Sequence, residues 1–115
     1  MKTPVHLLPY FARQPIEQAT LLQIEKIVCD AYRVRIDEIH GHKRPSRIAW
    51  PRQVCMYLMV ELVDNGTKAI GDYFNKDHST VVHAHKRVET FMRLYRDVQK
   101  AIQQIRDQLT KEITP

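Results

Sequence analysis

The stretch TKAIGDYFNKDHSTVVHAHKRVE, from Thr67 to Glu89, decides the fold. Its first half, TKAIGDYFN, reads as a brief helix that Thr67 can cap and that runs to about Asn75. A turn of two or three residues follows. A second helix then starts on polar residues, with Asp77 or Ser79 as its N-cap and with Val81, Val82, Val88 and Phe91 on its buried side. A short helix, a tight turn and a second helix with a polar start make a helix-turn-helix.

The second half, Lys76 to Glu89, crowds three histidines, two hydroxyls and three cations into fourteen residues. Zinc does not explain them. His78 and His83 stand five apart, about 140° out of phase on a helix, and His78 and His85 are separated by about 10 Å along the axis. Helical metal pairs want a spacing of three or four, and no cysteine or carboxylate completes a ligand set. Ser79 and His83 recur at four, but nothing in the chain supplies the base-orienting carboxylate or oxyanion site of a nucleophilic enzyme. The three glycines, Gly41, Gly66 and Gly71, lie in no phosphate-cradling loop. No enzyme, metal, cofactor or nucleotide is expected.

Reading of DNA accounts for the cluster better. The first turn of a recognition helix projects into the major groove, where Asp77 can accept from a cytosine amino group and His78 can donate to a purine or a carbonyl. Ser79 and Thr80 can do either, and the Thr80 methyl can meet a thymine methyl. Lys86 and Arg87 can reach phosphates, and His83 and His85 suit surface or phosphate-facing positions. Periodicity alone leaves His78, Ser79 and Thr80 open between base reading and plain capping of a solvated helix start.

Upstream, PRQVCMYLMVELV is helical from Pro51, with Val54, Tyr57, Leu58, Glu61 and Leu62 on alternate turns; Asp64, Asn65 and Gly66 end it. Before it, HKRPSRIAWPR holds four fixed cations and no acid, and Pro45 argues for an exposed basic loop. Lys43, Arg44, Arg47 and Arg52 on such a loop could enter a narrow minor groove or track phosphates. Trp50 reads as a packing residue. VRIDEIHG is a helical turn with Gly41 as its stop, and Leu21, Ile24, Ile27, Val28 and Ala31 form one face of a helix from Ile16 to near Tyr32. Residues 1–15 hold half of the six prolines and read as an extended leader.

Downstream, Phe91, Tyr95, Val98, Ile102, Ile105 and Leu109 are spaced 4, 3, 4, 3, 4. That seam either packs back on the domain or makes a homodimer contact over residues 91–109. Arg93, Arg96 and Lys100 make a solvated face. No segment alternates like a strand, so the fold is all-α.

At 115 residues the chain holds one domain, 16–112, behind its leader. A 43% apolar fraction suffices for a modest core, and a net charge of +5 suits an anionic partner. Cys29 and Cys55 read as small buried hydrophobes in a reduced compartment. Neither a signal-peptide core nor a membrane span is present, which points to the cytoplasm and, with DNA as partner, the nucleoid.

The stretch AIGDYFNKDHSTVVHAHKRVE closely resembles the C-terminal DNA-binding domain of DnaA, the bacterial replication initiator. The resemblance rests on Ile70, Gly71 and Phe74, then Asp77, His78, Ser79, Thr80, Val81, His83, Ala84 and Lys86; it extends upstream through Pro51, Arg52 and Gln53 and the basic loop to the helix at Ile24 to Tyr32, covering residues 20–95 or so. It implies a Trp-repressor-like helix-turn-helix domain of about six helices with a long C-terminal helix, binding the short asymmetric DnaA box in duplex DNA. It further implies base contacts by Asp77, His78 and Ser79 with Thr80 beside them, and minor-groove entry by Arg44. Backbone contacts are implied for Arg52, Gln53, Lys68 and His83, with Lys76 and Lys86 at commonly basic positions. The turn before Asp77 is one residue shorter than usual, with Asn75-Lys76 in place of a glycine-containing stretch. Trp50 stands where a basic residue is common. A chain of this length has no room for the initiator's ATPase module, so the expectation is a stand-alone transcriptional or replication regulator. The alternative is a protein-interaction module that docks or titrates a partner through the C-terminal helix.

Overall fold

The computed structural model describes residues 21–41, 45–63 and 66–113. The expected leader, the start of the first helix, and the loop residues His42, Lys43 and Arg44 lie outside them, as do Asp64 and Asn65. Among the described residues there are six helices and no strand: α1 (Leu21–Tyr32), α2 (Ile36–Ile39), α3 (Ser46–Leu62), α4 (Gly66–Phe74), α5 (His78–Leu94) and α6 (Arg96–Ile113).

Helix α3 is the axis of the domain. It buries Ile48, Val54, Cys55, Met56, Leu58 and Met59 almost completely, so its apolar surface runs around the helix rather than along one stripe. A helix of that kind must be surrounded. It packs against α1, α2, α4 and α5, while α6 lies across α1 and α5. Both cysteines are free and buried, and burial pushes the Cys29 thiol up to about 11 and Cys55 well up too, so neither is a ready nucleophile.

The expected basic loop is shorter than its composition suggested. Pro45 is the N-cap of α3, with φ −53° and ψ 146°, and its carbonyl accepts from Ile48 N and Ala49 N at 2.9 and 2.8 Å. Arg47, Trp50 and Arg52 are therefore helical, and Pro51 sits inside the helix instead of opening it. An interior proline costs about 3 kcal/mol. Burying Pro51 and Ile48 on the core face offsets that penalty, which is why pattern reading from Pro51 onward placed the start five residues late.

Helix ends are closed by backbone geometry more than by side chains. Arg33 takes φ 56° after α1, with Val34 N donating to Cys29 O at 3.0 Å. Helix α2 starts where Arg35 N donates to Glu38 Oε1 at 3.0 Å, and it ends on His40 rather than Gly41. Gly66 begins α4 with φ 84°, so Thr67 is inside the helix and not its cap. Tyr95, at φ −128° and ψ 117°, separates α5 from α6. The apolar seam thus crosses a bend: Ile102, Ile105 and Leu109 are buried within this chain, and Tyr95 is exposed. Those three side chains are spent on the domain's own core and are not free to form a dimer contact.

Candidate nucleic-acid interface

Two helices and a turn build the candidate site. Phe74 ends α4, and Asn75 adopts φ 55°, the left-handed conformation that asparagine tolerates better than most residues. Lys76 N then donates to Gly71 O at 2.8 Å and Asn75 N to Asp72 O at 3.1 Å, the bonding pattern of a Schellman stop. Asn75 does the work for which a turn glycine is usual, so the shortened turn closes without one. Gly71 permits the closeness: a Cβ there would stand 2.7 Å from Lys76 O and 3.3 Å from His78 N.

Asp77 is the N-cap of α5 by backbone, its carbonyl accepting from Thr80 N at 3.0 Å. Its side chain makes no cap bond. Instead Ser79 Oγ donates to Asp77 Oδ2 at 2.7 Å, and His78 Nδ1 stands 3.1 Å from Oδ1. Ser79 first, then His78, hold the Asp77 carboxyl below the usual carboxylate range. Asp77 and His78 project into solvent, with side chains 69% and 64% exposed, so the tip is ordered yet open to a partner.

Behind the tip, Thr80, His83 and Arg87 descend one face of α5 at spacings of three and four. With Lys76 from the turn and Arg52 and Gln53 from α3 they line a cleft of about 440 Å³. Three fixed cations and an imidazole around one cleft suit an anion of phosphate size. Arg87 also lies over the Phe91 ring, 4.8 Å from its centroid, which holds its stem in place. Arg87, expected from the sequence to reach phosphates, thus lines the cleft in register with Thr80 and His83.

Other candidates fall elsewhere. Arg47 turns to Glu38, 2.7 Å from Oε2, and Lys68 pairs with Asp72 on α4 at 3.7 Å. Lys86 is exposed, one position off the cleft-lining row. Lys43 and Arg44 are outside the described residues. Arg52 is 9% exposed and is not the free surface cation its loop assignment implied. Its Nε donates to Ile39 O at 2.5 Å and its Nη2 to Gly41 O at 3.0 Å, satisfying carbonyls that the end of α2 leaves open.

Two further sequence expectations are revised. Val82 is 46% exposed, and Ala84 takes the buried place between Val81 and Val88. His85 faces inward: its Nε2 is 3.0 Å from Glu61 Oε2 and its ring stacks on Tyr57 at 5.0 Å. Trp50 packs as expected, donating from Nε1 to Tyr32 OH at 3.2 Å and stacking on Phe91 at 5.4 Å. Glu25 is wholly buried; Tyr73 OH donates to its Oε1 at 2.8 Å and His40 Nε2 lies against its Oε2, joining α1, α2 and α4. Among the described residues no three metal-ligating side chains converge, and no helix is long and apolar enough to cross a membrane.

The family model for the bacterial DnaA protein helix-turn-helix matches residues 21–88, more than half of the chain.

Proposed function

The chain belongs to the bacterial DnaA helix-turn-helix family, and from that premise we propose that it binds double-stranded DNA sequence-specifically at DnaA-box-like sites, as a transcriptional or replication regulator. Helix α5 enters the major groove. Asp77, His78, Ser79 and Thr80 meet base edges there, and the cleft between α3 and α5 receives a backbone phosphate. Gln53 and Lys76 hold that phosphate together with His83 and Arg87, and Arg52 adds charge from beneath. Outside the cleft, Lys68 and Lys86 are further backbone contacts in this reading, and Arg44, with Lys43 and Arg47 in the same basic stretch of sequence, is the minor-groove contact that the resemblance implies.

One observation carries this reading: the exposed Asp77-His78-Ser79 tip and the cation-lined cleft share helix α5, about a turn apart. Phosphate contacts set register while base contacts specify sequence, and both are needed in fixed relation. Anisotropy titration of a labelled DnaA-box duplex against a scrambled duplex, at several salt concentrations, tests it. The expected preference is about a thousandfold, persisting as salt rises. Equal affinities that fall together with salt would reduce the activity to phosphate binding alone.

A further inference from the structure

The last turn of α4 is braced by a residue that belongs to neither helix of the helix-turn-helix. His40, the C-cap of α2, stacks its ring on Phe74 with centroids 4.9 Å apart and 24° between planes, and it meets Tyr73 edge-on at 5.1 Å. Tyr73 and Phe74 meet edge to face at 5.3 Å, so the three rings form one cluster at separations where ring pairs attract. The cluster is anchored on two sides. Glu25 of α1, wholly buried, accepts from Tyr73 OH at 2.8 Å and has His40 Nε2 against its Oε2. Burial first, then the bond to Glu25, push the Tyr73 phenol well up, so it stays a donor. On the other side Arg52 donates to Ile39 O and Gly41 O, the carbonyls flanking His40, and so pins the backbone from which the ring projects.

These contacts hold the point from which α5 takes its direction. Phe74 is the last residue of α4 and Asp77 caps α5; only Asn75 and Lys76 stand between them. A shift of Phe74 therefore passes through two residues into Asp77, His78 and Ser79. A base-reading constellation tolerates displacements of only about 0.5 Å. Attraction to a phosphate falls off slowly with distance and tolerates more. Resting on the assignment of α5 to the major groove, we propose that His40 is a positioning residue for base reading: braced by Glu25 and by the Arg52-pinned backbone, its ring fixes Phe74 and thereby the tip of α5. Arg52 also lines the phosphate cleft, so the same contacts tie the tip to that cleft. His40 acts through Phe74 and the turn and touches no DNA itself.

The test is anisotropy titration of the full chain, as wild type, His40→Ala and His40→Phe, on the box and scrambled duplexes at several salt concentrations. In His40→Ala the preference for the box should fall at least about fivefold, the low end of what one good base contact discriminates. Affinity for the scrambled duplex and its salt dependence should stay as in wild type, because the phosphate contacts are untouched. His40→Phe keeps a ring on Phe74 and should recover most of the preference. The His40 side chain is 30% exposed, so His40→Ala should fold, and urea unfolding checks that it does. A box preference undiminished in His40→Ala would overturn the proposal and leave the groove assignment standing. So would an equal loss on both duplexes with a shallower salt slope, which would make His40 a phosphate contact. Failure of His40→Ala to fold would assign the residue to the fold alone, and a His40→Phe protein no better than His40→Ala would place the effect outside the ring contact; either overturns the proposal. No box preference in the wild type would remove the groove assignment and this proposal together.

Discussion

Arg52 serves the fold and the cleft with the same side chain. Its Nε and Nη2 close the carbonyls of Ile39 and Gly41, immediately before the basic residues His42, Lys43 and Arg44, and its flank lines the cleft against α5. Hydrogen bonds from a charged donor to buried carbonyls contribute more than neutral ones, and losing them leaves the acceptors unmatched. Arg52→Ala should therefore destabilise the protein by about 2–3 kcal/mol in urea unfolding, besides weakening DNA binding. Arg52→Lys should rescue little, because a point charge cannot reproduce the planar fork. An unchanged unfolding midpoint in Arg52→Ala would make it a surface phosphate contact and nothing more.

The decisive element is the turn between α4 and α5. Its geometry is held by Gly71 on one side and Asn75 at φ 55° on the other. Alanine is a better helix former than glycine by about 1 kcal/mol, so at an open helical position Gly→Ala would stabilise. At Gly71 the new Cβ would meet the Lys76 carbonyl at 2.7 Å, and the backbone of the turn must give way. Gly71→Ala should lose about 1–2 kcal/mol of stability net of propensity, and should weaken box binding by displacing Asp77 and His78. Thermal unfolding and anisotropy together check this, and a stabilised variant with native affinity would refute it. The -I-G-x-x-F- spacing was plain in the sequence; the close approach that requires glycine was not, because it depends on where the turn backbone comes to lie.

Across the molecule, Glu61 on α3 ties α5 and α6 to the central helix. His85 Nε2 is 3.0 Å from its Oε2 and Arg106 Nη2 is 4.0 Å from its Oε1. The hydrogen bond to Glu61 raises the His85 pKa above the ordinary imidazole value, against the opposing effect of burial. A folded pKa above the unfolded one means that the protonated form binds its proton more tightly when folded. This contribution to stability is full below the unfolded value and is lost as pH rises through the folded one. Unfolding free energy should decline across that window in the wild type, and His85→Gln should flatten the decline. A profile identical in the two proteins would show that the pair contributes nothing.

The residue order alone determined the all-α class, the helix-turn-helix and the polar tip of α5, because period, caps and turn chemistry are local properties that neighbouring residues settle among themselves. Where α3 begins, which way His85 and Arg52 point, and how the 91–109 seam is spent were decided only by tertiary structure. Pro51 is tolerated in a helix because burial outweighs its local penalty; His85 turns inward because Glu61 waits there, twenty-four positions away in the chain. Arg52 folds under because α2 ends on unmatched carbonyls. The seam splits at Tyr95 so that Ile102, Ile105 and Leu109 can cover α1 and α5. Each of these outcomes weighs a local preference against a partner distant in sequence, and the distance to that partner exists only in the folded chain.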